Sequence, residues 1–99
     1  MKTVIRLSNV VDETISNLAG KKLFDIIDKH LENGSVIYLS LLNTEPMSTS
    51  FFNSSFGKLL EKYGPVEVKS KLKLVDYKMA EALRLRSYFE RYNKISLSH

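Results

Sequence analysis

Eight residues near the middle of the chain, Ser35-Val-Ile-Tyr-Leu-Ser-Leu-Leu42, are nearly continuous in apolar side chains and follow directly on Asn33-Gly34. A run of this length after a turn signal reads as a strand covered on both faces, and therefore as the centre of a sheet. Two other segments supply neighbours. Thr3-Val-Ile-Arg-Leu7 is a short β-branched run closed by Ser8-Asn9, which predicts a first strand. Val66, Val68, Ser70, Leu72 and Leu74 alternate with Glu67, Lys69, Lys71 and Lys73, the period of a half-exposed strand whose outward lysines discourage edge pairing with other chains.

Helices are predicted between these strands. Ile15, Ala19, Leu23, Ile26, Ile27 and Leu31 recur at helical spacing behind Asp12, an expected N-cap, and Asn33-Gly34 supplies a left-handed stop. His30 falls in the apolar sector of that helix without partners at a useful spacing, so it is expected to be a partly buried packing residue. Phe52, Phe56, Leu59, Leu60 and Tyr63 share one face of a second helix ended by Gly64-Pro65. Gly57 within it suggests close approach by a neighbour. A last helix, capped by Asp76 and running to about Asn93, carries Ala82, Leu85, Phe89 and Tyr92 on its apolar stripe, with Ile95 to His99 as a frayed tail or a short edge segment. The order strand, helix, strand, helix, strand, helix with right-handed crossovers gives a small α/β sandwich, its helices packed on a parallel or mixed sheet.

The junction between central strand and second helix is where chemistry concentrates. Asn43-Thr-Glu-Pro46 is a polar turn, and Ser48, Thr49 and Ser50 stand where the helix begins. One hydroxyl suffices to cap the first free amides. Two are then left beside a helix start that suits an anion, including a phosphoryl group on one of these side chains.

Several classes are excluded by composition. With no cysteine, the chain can have no disulfide, thiol nucleophile or cysteine-based zinc site. His30 and His99 cannot by themselves build a metal centre, and no paired base or glycine-rich phosphate loop joins the carboxylates Asp12, Glu13, Asp25, Asp28 and Glu32, so neither enzymatic activity nor a cofactor is expected. No segment reaches the roughly 18 apolar residues of a membrane span, which makes a cytoplasmic protein the expectation. The 99 residues are read as one domain, folding by itself or as a small oligomer such as a homodimer. Charge is uneven: residues 1 to 57 carry five Lys/Arg against six Asp/Glu, and residues 58 to 99 carry ten against five. That asymmetry marks either a solvated face or a footprint for nucleic acid or an acidic partner, with Lys69, Lys71, Lys73, Arg84, Arg91 and Lys94 as its residues and Tyr88 or Tyr92 available for stacking.

The pattern Val36-Ile-Tyr-Leu-Ser-Leu-Leu42, Met47-Ser-Thr-Ser-Phe51, Phe56-Gly-Lys-Leu59 resembles the strand, Ser-Ser-Phe turn and Phe-Gly-x-Leu helix of the bacterial STAS-like domains of unknown function, relatives of the STAS domains of anti-sigma-factor antagonists. The resemblance is strongest from Gly34 to Tyr63 and extends through Asn93. It implies a single STAS-like domain over residues 1–99, a regulatory protein-interaction module without an active site. It further implies phosphorylation at the start of the second helix, at Thr49 with Ser48 and Ser50 beside it, and a partner surface from Pro46 to Gly57 that includes Met47, Phe51, Asn53 and Ser54. The partner implied is a histidine-kinase-type ATPase or an anti-sigma-like protein. Nucleic-acid binding through the basic second half is the alternative.

Overall fold

The computed structural model describes residues 2–97, with side chains through Arg91. Its elements run β1 (Lys2–Arg6), α1 (Leu7–Val10), α2 (Asn17–Glu32), β2 (Val36–Ser40), α3 (Thr49–Ser54), α4 (Phe56–Tyr63), α5 (Pro65–Lys71), β3 (Leu72–Val75) and α6 (Met79–Leu97). The three strands form a parallel sheet with β2 in the centre. It is thus a small α/β fold.

Register explains why only one face of β2 is fully covered. Ile5 lies beside Leu39 and Leu39 beside Leu74, while Ile37 lies beside Leu72. These side chains join a core built with Leu23, Ile27 and Leu31 of α2, Phe51 and Phe52 of α3, Phe56, Leu59 and Leu60 of α4, Val68 of α5 and Leu85 of α6. On the other face Val4, Tyr38 and Lys73 are neighbours; Val4 is 68% exposed, and Lys2 Nζ lies 4.6 Å from the centre of the Tyr38 ring. The expected two-sided burial is therefore corrected to one side. A tyrosine under a lysine ammonium tolerates water there.

Helix starts differ from the sequence reading because the cap must meet an amide two or three residues on. For α2 that residue is Ser16, whose hydroxyl accepts from Ala19 N at 3.1 Å, while Glu13 accepts from the Ile15 and Ser16 amides and Asp12 stays in the exposed loop. Ile15 is consequently outside the helix and 65% exposed. Asp76 does not cap α6 either: it adopts φ 53°, its carboxylate accepts from Ser40 Oγ at 2.7 Å, and the Lys78 amide goes to Glu81 Oε1 at 3.1 Å. The backbone of α6 stays helical to Leu97, past the tail expected to begin at Ile95; Ser98, His99 and the Tyr92 side chain lie outside the described residues.

The largest correction concerns residues 65–71. The predicted alternating strand is instead α5, and only Leu72–Val75 pairs with β2. Val68 and Leu72 are buried and lie four residues apart, a spacing that fits both periods, but Val66 is 83% exposed, as a helix requires and a half-buried strand does not. Pro65 at the first helical position presets φ, and the Glu67 and Lys71 side chains pair at 3.6 Å across one turn. The second predicted helix is likewise two helices. Ser55, fully buried, donates to Phe51 O at 2.6 Å and takes φ −111°, ψ −86°, which turns the chain between α3 and α4.

A polar cluster ties α4 to α2. Lys62 Nζ lies 2.9 Å from Asp28 Oδ1 and 3.6 Å from Glu32 Oε2, and the Tyr63 hydroxyl donates to the same Asp28 oxygen. The Tyr63 hydrogen bond, with that of Lys62 next, holds the Asp28 carboxyl below the usual carboxylate range. Burial, then the bond to Asp28, pushes Tyr63 up to about 12. A depressed carboxyl stabilises the fold above its unfolded value and loses that contribution as pH falls through the folded value; the raised phenol loses its own as pH climbs toward its folded value. Asp28→Asn is expected to be less stable than the native chain at neutral pH, with the gap closing on acidification below about pH 4. Urea unfolding across that range checks this, and a gap independent of pH would contradict it.

Candidate functional site

The turn before α3 is sewn to the segment before α2. The Thr14 hydroxyl, on a buried side chain, is shared between Pro46 O at 3.0 Å and Glu45 O at 3.2 Å. Ser48 N donates to Thr14 O at 3.0 Å, and Ser48 Oγ donates to Ile15 O at 2.7 Å while accepting from Phe51 N at 3.1 Å. Ser48 is therefore the cap, with its hydroxyl engaged both as donor and as acceptor. Thr49 and Ser50 are exposed, and among the described residues their hydroxyls have no hydrogen-bond partner. The three residues that look alike in sequence are thus separated into one structural and two displayed.

Of the residues expected on a partner-facing surface, Pro46 and Asn53 are exposed and Ser54 is half-buried, its hydroxyl donating to Ser50 O at 2.8 Å. Met47 and Phe51 are 2% and 0% exposed and belong to the core, so they hold the surface in place rather than form it. Gly57 is also buried. A Cβ there would collide with the Tyr88 hydroxyl, so the close neighbour anticipated at this glycine is a side chain from α6.

Beside Thr49 opens a groove of about 720 Å³ between α3, α4 and α6. Phe52, Gly57 and Tyr88 line it together with Lys58, Arg84, Arg91 and Glu61. The Phe52 and Tyr88 rings lie 5.4 Å apart, Tyr88 donates to Asn53 Oδ1 at 2.8 Å, and the Arg84 guanidinium sits 4.9 Å from the Phe52 ring centre. The structure therefore brings Thr49 together with two of the six basic residues of the alternative reading. The others are elsewhere: Lys69 and Lys71 are on α5, Lys73 is on β3 with its ammonium donating to Lys69 O at 3.1 Å, and the Lys94 side chain lies outside the described residues. Sequence reasoning missed Thr14, a lone polar loop residue whose role is visible only through its burial. It also missed Lys58 and Glu61, because no periodicity says that they will share a groove with residues of α6.

Among the described residues no group of three or more His, Asp or Glu could hold a metal, and no helix is long and apolar enough to cross a membrane. Residues 19–78 match the family described as the STAS-like domain of unknown function. The chain belongs to that family. No curated protein and no solved structure matches it. The span matched to the STAS-like domain runs from α2 through β3 and stops before α6. Thr49 and the floor of the groove thus lie inside that span, and Arg84, Tyr88 and Arg91 lie beyond it.

The three hydroxyls are expected to part in stability measurements. Ser48→Ala removes a cap and the bridge to Ile15 and should cost about 1–2 kcal/mol. Thr49→Ala and Ser50→Ala should stay within about 0.5 kcal/mol of the native chain. Chemical denaturation measures all three, and equal losses would contradict the assignment of Ser48 as the structural hydroxyl.

Proposed function

We propose that this STAS-like domain is a non-enzymatic cytoplasmic regulatory module of bacterial type that binds another protein at the start of α3, with Thr49 as the residue through which binding is switched. The observation that carries this reading is the division of labour at the junction: Ser48 is committed to the fold, whereas Thr49 is exposed with an unengaged hydroxyl at the rim of a groove. Exposed Ile15, whose carbonyl is held by Ser48, supplies apolar surface beside it.

The partner is a histidine-kinase-type ATPase or an anti-sigma-like protein that brings its own nucleoside triphosphate. The Thr49 oxygen attacks the γ-phosphorus, the bond to the departing nucleoside diphosphate breaks, and the hydroxyl proton leaves to a base of the partner. The product carries about −1.5 to −2 additional charge in the middle of the docking surface. That is enough to favour or oppose a partner whose own surface stays unchanged.

Capture of the tagged chain from its native host, followed by binding of the recovered protein to purified native and Thr49→Glu chains, tests this. Thr49→Glu should change the affinity by about tenfold, or 1.4 kcal/mol, with an unaltered circular dichroism spectrum. An unchanged affinity would count against a switch at Thr49. Recovery of nucleic-acid complexes with unmodified chain would instead assign the function to Lys69, Lys71, Lys73, Arg84, Arg91 and Lys94.

A further inference from the structure

The basic side chains around the groove have no assigned task. Lys58, Arg84 and Arg91 line it with a single carboxylate, Glu61, so three positive charges face one negative charge, a local balance of +2. Lys21, Lys62, Lys71 and Arg86 pair with carboxylates elsewhere on the surface. Among the described residues the three groove cations have no carboxylate within ion-pair distance. Unpaired cations gathered in one concavity raise the local potential and favour an anion.

Geometry singles out Arg84 and a nearby source for that anion. Ring contacts pair Phe52 with Tyr88 and Phe56 with Phe89, and the Arg84 guanidinium covers Phe52, so α6 meets α3 and α4 through these side chains. Arg84, Tyr88 and Arg91 fall at i, i+4 and i+7 on one face of α6. Arg84 is placed over Phe52 of α3 by its ring contact, and Arg91 lines the same groove. Phe52, under the guanidinium, is three residues from Thr49, a spacing that sets side chains about 5–6 Å apart on a helix. An arginine stacked on an aromatic ring keeps its planar N–H fork free for a phosphate. The Phe51 amide, by contrast, is already taken by Ser48, and α3 has only six residues, so the site consists of the groove side chains.

We propose that the groove is a phosphate-binding site whose ligand is phosphothreonine 49 of the same chain, held by Arg84 with support from Lys58. This rests on the reading of Thr49 as a modification site and adds what the phosphate does once attached. It draws α6 onto α3, brings the groove from +2 to near neutral, and leaves an altered surface where the partner docks. The modification is then sensed inside the domain before any partner arrives.

Phosphorus NMR of the full chain with phosphothreonine installed genetically at position 49 tests the site without a partner. A threonyl phosphate ordinarily loses its last proton near pH 6, and a close guanidinium lowers an acid's titration point by about one unit or more. The phosphate on Thr49 is expected to titrate about one pH unit below a phosphate installed at Ser50, which does not line the groove, and Arg84→Gln is expected to abolish the difference while Arg86→Gln preserves it. Identical titration at positions 49 and 50, or in the native and Arg84→Gln chains, would overturn the proposal. If Arg84→Gln fails to fold, the salt dependence of the native phosphoprotein decides: the difference between the two positions should shrink as salt rises, and a difference indifferent to salt would contradict an exposed cation as its cause. Because no partner enters this experiment, a missing shift would refute the internal site alone, and a shift without any effect on partner affinity would refute the switch alone.

Discussion

Helices α2 and α3 meet at Gly20 more closely than a side chain would allow. A Cβ at that position would strike the Ser54 hydroxyl and lie 2.8 Å from the Phe51 carbonyl oxygen. Backbone oxygen cannot move aside as a flexible side chain can, so this approach fixes where the six residues of α3 rest. Phe51 is then driven into the core, Ser54 lies against α2, and the first turn of α3 is left facing out. The links from Ser48 to Thr14 and Ile15 secure the same contact from the other end of α3. Everything said of Thr49 follows from this seating: a helix of this length is marginal in isolation and holds its shape by packing.

The sequence was most informative where a single physical requirement dominated. The position of β2, the burial of Phe52, Phe56, Leu59 and Leu60 and the stop at Gly34 each follow from burial or backbone geometry and lie where the pattern puts them, although β2 is covered on one face only and the stripe spans two helices. Capping was harder to read, because Asp12 and Ser16 are both chemically able to cap and only the start of α2 decides between them. Residues 65–71 misled because Val68 and Leu72 satisfy two periods at once. The deciding fact, that Val66 faces water, belongs to tertiary packing. The STAS-like family was legible from the order of the strand, turn and helix motifs, although none of these is specific alone.

The groove was not legible, for a different reason. Its two walls come from distant parts of the chain, and the contacts that join them, Tyr88 to Asn53 and Arg84 to Phe52, span 35 and 32 positions. From sequence, Arg84 and Arg91 are part of a general basic half and Thr49 is part of a hydroxyl cluster. Folding converts one into the wall of a concavity and the other into its rim. Gly57, whose sequence position suggested a close neighbour without naming it, is what lets Tyr88 reach in.

The claim on which the functional account rests is that α3 is held as firmly as the sheet beneath it, so that Thr49 is displayed on a fixed platform. Native-state amide hydrogen exchange, resolved by residue, tests this most directly. The amides of Phe51, Phe52 and Ser55, which donate to Ser48 Oγ, Ser48 O and Phe51 O, are expected to be protected to the same degree as those of β2. Rapid exchange across α3 while β2 stays protected would mean that the segment opens locally, and a fixed display of Thr49 would then be ruled out.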